Sequence, residues 1–311
     1  MKRRVFVGGM FAGLAAPRPA RPKSGDIPMR TLGRTGQKLT IIGQGGARMG
    51  MAPFEEVKAV VRRAYDLGIN YFDMARSYAN SLAEDVYGAV IPEFRKEVFL
   101  TSKSLQRTRG GAERELETSL RTMKTDYLDL WQIHMVSRMQ EVEQIFAPGG
   151  AIEAFEAAKK AGKCRFIGYT GCRDPEVHVE MLKHADRFDT CLMPLHIADT
   201  CFSDSPMMSF EQTALPAAVE RGLGIFGIKT FANAFLLRQF SIGDCLRYSL
   251  SLPITSTPLG ACTIGQIEDD VRIAQSFKPI TPEEKKALLA RVTSGAWDTV
   301  RGPALEYWKV R

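Results

Sequence analysis

Apolar positions along this chain follow two alternating rhythms. Short runs of β-branched and aromatic residues are each followed by a longer stretch in which apolar residues recur at helical spacing. Val57, Val60, Val61, Ala64 and Leu67 share one such face and predict a helix from about Phe54 to Leu67. It stops at Gly68, and Asn70-Tyr71-Phe72-Asp73 reads as the next strand. The pattern repeats. Lys160-Ala161-Gly162 ends a helix before a strand from Cys164 to Tyr169, and Glu220-Arg221-Gly222 ends another before Leu223 to Ile228. A glycine just past a helix end adopts the left-handed cap that a tight αβ loop needs. Further strands are predicted at Glu97 to Thr101, Tyr127 to Ile133, Phe188 to Leu192 and Ile254 to Leu259. Ahead of them, Met29 to Ile42 holds two turn signals, Leu32-Gly33-Arg34 and Thr35-Gly36-Gln37. These predict a β-hairpin leading into a first strand around Leu39 to Gly43. Eight strands and at least eight helices, with an extra helix near Thr281 to Arg291, predict an α/β fold. The architecture expected is a (β/α)8 barrel (a TIM barrel) with an N-terminal β-hairpin and an extra C-terminal helix. No linker divides residues 29–311, which are expected to form one domain.

Composition supports a packed domain and removes two partner classes. With 311 residues, 45% hydrophobic and 25% charged, the chain has enough apolar mass for a full barrel core. No apolar run reaches the roughly 18 to 20 residues that span a bilayer, so no integral membrane segment is expected. The net charge of +7 suggests nucleic acid until it is located. Residues 1–23 hold six basic residues and no acidic one, leaving 36 basic against 35 acidic residues beyond them. A nearly neutral body lacks the basic stripe of a nucleic-acid binder. The first 23 residues read instead as a targeting segment: Lys2-Arg3-Arg4-Val5-Phe6, a Gly/Ala-rich apolar stretch to Ala16, then a Pro/Arg spacer. They resemble a bacterial twin-arginine export leader, which implies a periplasmic protein; a basic tail on a cytoplasmic enzyme is the other reading. The six cysteines show no CxxC and no zinc-type spacing with histidine, and buried free thiols are expected. No signal for oligomeric state is legible.

The chemistry enters at the strand ends. In a (β/α)8 barrel the reactive residues gather at the carboxyl ends of the strands, around one mouth. Asp73 ends the second strand, Lys103 the third and His134 the fourth, at spacings of 30 and 31 residues, about one β/α unit each. Tyr78, five residues beyond Asp73, opens the loop over the same space. Tyr71-Phe72-Asp73-Met74-Ala75-Arg76-Ser77-Tyr78, followed by Glu84 and Gly88, resembles the aldo-keto reductase signature. Phe99-Leu100-Thr101-Ser102-Lys103 and Asp126 through His134 resemble the family's next two active-site strands. Segments Ala147 to Ala151, Met193 to Leu195 and Arg247 to Pro253 suggest a bacterial branch, and the likeness runs from about Met29 to the C-terminus.

The resemblance implies a nicotinamide-dependent reductase of an aldehyde, ketone or quinone, with Asp73, Tyr78, Lys103 and His134 as its catalytic set. The physical chemistry agrees. Hydride delivery to a carbonyl leaves negative charge on oxygen, which a positioned acid must meet. Tyr78 is expected to give that proton, a Lys103 ammonium to lower the tyrosine's pKa, and Asp73 to keep the lysine charged. His134 is expected to orient the substrate oxygen. A catalytically weak nicotinamide-binding sensor or regulatory subunit on the same fold is the alternative.

The family's cofactor positions are only partly kept. Gly43-Gln44-Gly45-Gly46 is no dinucleotide fingerprint but is similar to the family's first-strand glycine loop, placing Gly45 and Gly46 at the cofactor. Thr170-Gly171 stands where the family has a Ser-Asn pair on the carboxamide, and Leu192 where a Gln underlies the nicotinamide. Lys229 is placed to reach the diphosphate. The final unit, with Gly260, Thr263, Gln266, Asp269 and Asp270, resembles the adenosine end, but without the usual base for a 2′-phosphate. NADP is the family's cofactor and NAD stays open. Substrate choice is assigned to the loops Met135 to Gly150 and His196 to Ser209 and to the tail Ser294 to Arg311, with Trp297, Tyr307 and Trp308 as wall or staple.

Overall fold

A computed structural model of the chain describes residues 27–199 and 209–293. The leader at 1–23, most of the loop between His196 and Ser209, Cys201, and the tail with Trp297, Tyr307 and Trp308 lie outside the described residues.

Eight parallel strands form the centre: β3 (Ile42–Gly45), β4 (Tyr71–Asp73), β5 (Phe99–Ser104), β6 (Leu128–Ile133), β7 (Cys164–Thr170), β8 (Thr190–Pro194), β9 (Gly224–Ile228) and β10 (Thr257–Leu259). Each pairs with its neighbour in chain order, and β10 returns to pair with β3. Thr255 N donates to Ile225 O at 2.8 Å and Gly227 N to Ser256 O at 3.0 Å, which closes the ring between β9 and β10. The fold is a (β/α)8 barrel. Helices α1 (Phe54–Asp66), α2 (Leu82–Val90), α3 (Arg109–Met123), α4 (Met139–Phe146), α5 (Ala151–Lys160), α6 (Pro175–Leu182), α7 (Leu215–Glu220), α8 (Ile242–Ser251), α9 (Ile264–Gln275) and α10 (Pro282–Thr293) complete it. Gly68, Gly162 and Gly222 take φ of +93°, +74° and +67°, the left-handed caps their positions predict.

The hairpin lies where the sequence puts it, but it takes Leu39 from the barrel. β1 (Met29–Thr31) and β2 (Lys38–Thr40) pair antiparallel with Arg30 opposite Leu39, so the first barrel strand starts at Ile42. Leu32 and Leu39 join Tyr71, Phe99, Leu130, Leu192 and Phe226 in one buried apolar cluster. That cluster is the barrel's interior filling, and each large side chain fully buried there contributes about 1.5–3 kcal/mol. Strand ends also shift. The third barrel strand runs to Ser104 and so includes Lys103, because Lys103 pairs in register with Gln132. Asp129, in the middle of the aldo-keto-like fourth strand, is structural. Its buried carboxylate receives Arg95 and Arg165, both at 2.7 Å, and the Leu100 amide at 2.9 Å.

Candidate active site

Strand alternation builds the site. Residues two apart on a strand share a face, so Tyr71 and Asp73 on β4 and Thr101 and Lys103 on β5 point the same way. Lys103 Nζ lies 2.7 Å from Asp73 Oδ2 and also donates to Met74 O at 2.5 Å. The other carboxylate oxygen, Asp73 Oδ1, receives the Thr101 hydroxyl at 2.9 Å and the Tyr71 hydroxyl at 3.0 Å. Both partners are buried, the lysine side chain 1% exposed and the aspartate 4%. Burial pulls the Lys103 ammonium below its ordinary range, and the Asp73 charge and hydrogen bond oppose that pull.

Tyr78 and His134 meet above this pair. Their rings stand edge to face with centroids 5.5 Å apart, and Lys103 Nζ lies 4.9 Å from the Tyr78 ring centroid. The Tyr78 hydroxyl is held well above its ordinary value, first by burial, then by the charges of Asp73 and Cys172. His134 is held well below its ordinary value by burial, with Lys103, Arg107 and Lys229 adding to it, so its ring is neutral. Ser77 Oγ lies 3.3 Å from His134 Nδ1.

The loop that carries Tyr78 is anchored from below and strained above. Arg76 donates to Glu84 Oε2 at 2.7 Å and Ser102 to Glu84 Oε1 at 2.9 Å, with Glu84 wholly buried on α2. α2 can press this close to α3 because Gly88 faces Thr122, where an added Cβ would stand 2.1 Å from the carbonyl oxygen. Ala79, Asn80 and Ser81 follow Tyr78 at φ of +49°, +54° and +77°. Three consecutive non-glycine residues in the left-handed region are costly and persist only where surrounding structure fixes them.

The cofactor candidates lie around the same mouth. Thr170 Oγ1 accepts the Met135 amide at 2.9 Å, while Gly171 N donates to Leu192 O at 3.2 Å. The Leu192 side chain belongs to the apolar floor and offers no polar atom. An added Cβ at Gly46 would meet the Met74 side chain at 2.7 Å, and one at Gly45 would stand 3.2 Å from Leu259 O, so backbone approaches closely there. Lys229 sits at φ +61° with its ammonium pulled down to about 8, mainly by burial. Gln266 is occupied: its side-chain oxygen accepts the Cys262 and Thr263 amides at 2.7 and 3.3 Å, within a capping box at the start of α9. Asp269 pairs with Arg272 at 2.8 Å on the surface, whereas Asp270 is buried and raised to about 7 by burial and by Asp269.

Sequence reasoning did not single out Arg48. Its guanidinium donates to Asn233 Oδ1 at 2.6 Å, its side chain fills the space a Cβ at Gly260 would enter, and its carbonyl accepts the Cys262 thiol at 3.2 Å. Arg48 thereby joins the three glycine-bearing and loop segments at residues 45–48, 229–233 and 260–263. No local pattern reveals this, since the three meet only when the ring closes. Tyr71 and Thr101 could have been found, because period two puts Tyr71 on the face of Asp73 and Thr101 on the face of Lys103.

A (β/α)8 barrel whose mouth gathers a buried Asp–Lys pair, a tyrosine and a neutral histidine defines a class of barrel enzyme. Residues 41–243 match the model of the Aldo/keto reductase family, and the chain belongs to that family. It is an NAD(P)-dependent oxidoreductase. It is similar to L-galactose dehydrogenase of Arabidopsis thaliana, 26% identical over 319 residues, covering 87% of this chain and 97% of the relative. An aldo-keto reductase of Bacillus halodurans in its holo form superposes with a TM-score of 0.72 at 23% identity, over 85% of this chain and 96% of that one. An aldo-keto reductase of Klebsiella pneumoniae in complex with NADPH gives 0.67 at 22% identity, over 84% and 94%.

Proposed function

We propose that this protein is an NADP(H)-dependent aldo-keto reductase that reduces a small aldehyde, ketone or quinone, with Tyr78 as general acid. The observation that carries the reading is the Asp73–Lys103 pair buried beneath the Tyr78 and His134 rings at one barrel mouth. When bound, the reduced nicotinamide would supply a hydride, one proton with its two electrons, to the carbonyl carbon. The chain's own residues manage the oxygen. Burial holds the Tyr78 proton in place at neutral pH, so the hydroxyl is in the form a general acid needs. As charge develops on the substrate oxygen, Tyr78 gives up that proton, and the phenolate faces the ammonium of Lys103. Asp73 keeps that ammonium charged in a buried setting. In the tautomer whose Nδ1 accepts from the Ser77 hydroxyl, the neutral His134 ring carries its proton on Nε2, where it can be donated to the same oxygen.

The residues present fit a dinucleotide. Arg48, with Lys229 nearby, supplies positive charge for its phosphates, and Gly45, Gly46 and Gly260 let Leu259, Met74 and the Arg48 side chain pack closely at the mouth. Arg48 has no carboxylate partner among the described residues. Asp270 argues less against a 2′-phosphate than its formal charge suggests, since a carboxyl held to about 7 is half neutral at that pH. The solved Klebsiella pneumoniae relative bound to NADPH also supports the phosphorylated form. We read residues 1–23 as a leader that sends the folded chain through the twin-arginine route; a full-length fusion retained in the cytoplasm would remove that part.

The test pairs binding with turnover. Wild type is expected to bind NADPH and to reduce members of a carbonyl panel, and Tyr78→Phe to keep binding while losing turnover by at least about a hundredfold. Retained turnover in Tyr78→Phe sinks the catalytic assignment. Binding without turnover of any carbonyl by wild type points instead to a sensor subunit.

A further inference from the structure

His134 is held through its backbone from the side of β5. Its amide donates to Ser104 O at 2.8 Å, and its carbonyl accepts the Arg107 guanidinium, also at 2.8 Å. The same nitrogen, Nη2, reaches Met135 O at 3.1 Å, and Nη1 donates to Leu105 O at 3.1 Å. Met135, directly after His134, sits at φ +53°. A non-glycine residue stays in that region only where its surroundings fix it. Here Thr170 Oγ1 accepts the Met135 amide at 2.9 Å, while Arg107 and the Ser137 hydroxyl donate to its carbonyl.

Arg107 also reaches the far end of the segment that follows. Its own carbonyl accepts the Ala151 amide at 2.9 Å, and next to it Arg109 N donates to Gly149 O at 2.8 Å. One residue of the loop after β5 therefore clasps both ends of residues 135–150, the stretch to which the sequence assigns substrate choice.

For an arginine kept only for stability this is a poor arrangement. The side chain is 11% exposed, its carboxylate partner Glu141 stands 3.5 Å away, and its Nε has no partner among the described residues. Arg95, similarly buried, meets Asp129 at 2.7 Å. A buried cation so loosely paired is costly, and costs of that kind gather at working sites. Its charge acts on His134 as well. Lys103 of β5, Arg107 and Lys229 after β9 are the cations that bear on the ring, with the Tyr78 ring edge to face and Ser77 Oγ 3.3 Å from Nδ1. After burial and Lys103, Arg107 is the next influence that keeps the ring neutral.

We propose that Arg107 is a positioning residue of the reductase: by gripping the His134 and Met135 carbonyls it holds the His134 imidazole at the reacting oxygen. This rests on the reductase reading of Tyr78 and His134. Arg107 acts through His134 and not on the reacting atoms. Its planar fork suits the task, because two neighbouring carbonyls are held by one fixed group.

The experiment pairs turnover of a carbonyl panel and NADPH titration with ring-nitrogen NMR of the four histidines in the full chain. Arg107→Met is expected to lower kcat by about tenfold or more with NADPH affinity nearly unchanged, since a misplaced group costs rate and not cofactor binding. In that variant the His134 titration is expected to move up, because a cation has left. Arg107→Lys keeps the charge without the fork, so His134 is expected to stay neutral and kcat to recover in part. Should Arg107→Met fail to fold, Arg107→Gln, a neutral donor, is expected to give intermediate kcat with the His134 titration moved up. Wild-type kcat in a folded Arg107→Met, or kcat and NADPH affinity lost in equal measure, overturns the proposal alone, as does Arg107→Gln with wild-type kcat and an unmoved His134. Wild type that reduces nothing in the panel overturns the reductase reading and this inference with it.

Discussion

Lys103 and Asp73 share a 2.7 Å contact in a place closed to water, where the aspartate opposes the downward pull of burial on the lysine's ammonium. Removing one partner strands a charge; removing both does not. Asp73→Asn is expected to destabilise the fold by roughly 3–5 kcal/mol, the cost of an uncompensated buried charge. Asp73→Asn/Lys103→Met is expected to recover most of that loss while remaining inactive. Denaturant unfolding beside turnover separates the two effects, and a double variant no more stable than Asp73→Asn would show that charge pairing is not what the aspartate contributes.

Glu84 touches no reacting atom, yet both of its oxygens hold the frame of the mouth, one through Arg76 and one through Ser102 on β5. Glu84→Ala leaves Arg76 without its partner and frees the loop to Tyr78. Turnover is expected to fall by about tenfold or more with NADPH affinity nearly unchanged, and Glu84→Gln to lose less. Equal losses in affinity and turnover would place Glu84 at the cofactor instead.

Glycines provide a stability contrast within one chain. Gly88→Ala drives a methyl to 2.1 Å from Thr122 O between α2 and α3, where backbone cannot yield cheaply. A loss of about 2–3 kcal/mol is expected, with poorer activity because α2 carries Glu84. Gly265→Ala, in the first turn of α9 with nothing within 4 Å, is expected to gain a few tenths of a kcal/mol up to about 1. Thermal melts of the two variants should move in opposite directions.

Asp270 sets a pH dependence whose sign follows from its environment. Its folded-state pKa is raised from 3.8 to about 7 by burial. Between those values the folded chain holds a proton the unfolded chain has lost, so this group's contribution to stability declines as pH rises from about 4 and levels above 7. Asp270→Asn removes the decline, and its advantage over wild type is expected to grow between pH 5 and 8, to on the order of 2 kcal/mol. The same variant is expected to tighten NADPH more at pH 8 than at pH 6, because the negative charge it deletes is fuller there. An advantage that stays flat across that range would mean the carboxyl is ionised throughout.

Much of this molecule was readable in one dimension because the information was local. Helical and strand periodicity, with glycine caps at Gly68, Gly162 and Gly222, are properties of neighbouring residues, and they determined eight β/α units. Asp73, Lys103 and His134 were legible for a related reason: in a closed barrel, strand order converts equal sequence spacing into adjacency at one mouth. What the sequence could not determine is depth and who meets whom across the ring. Depth decided the Tyr78 pKa, which burial raises, and it left Asp270 only partly ionised near pH 7. Adjacency across the ring decided that Arg48 meets Asn233 and Gly260. Desolvation and through-space contact depend on the whole packed chain, so only the tertiary structure could supply them.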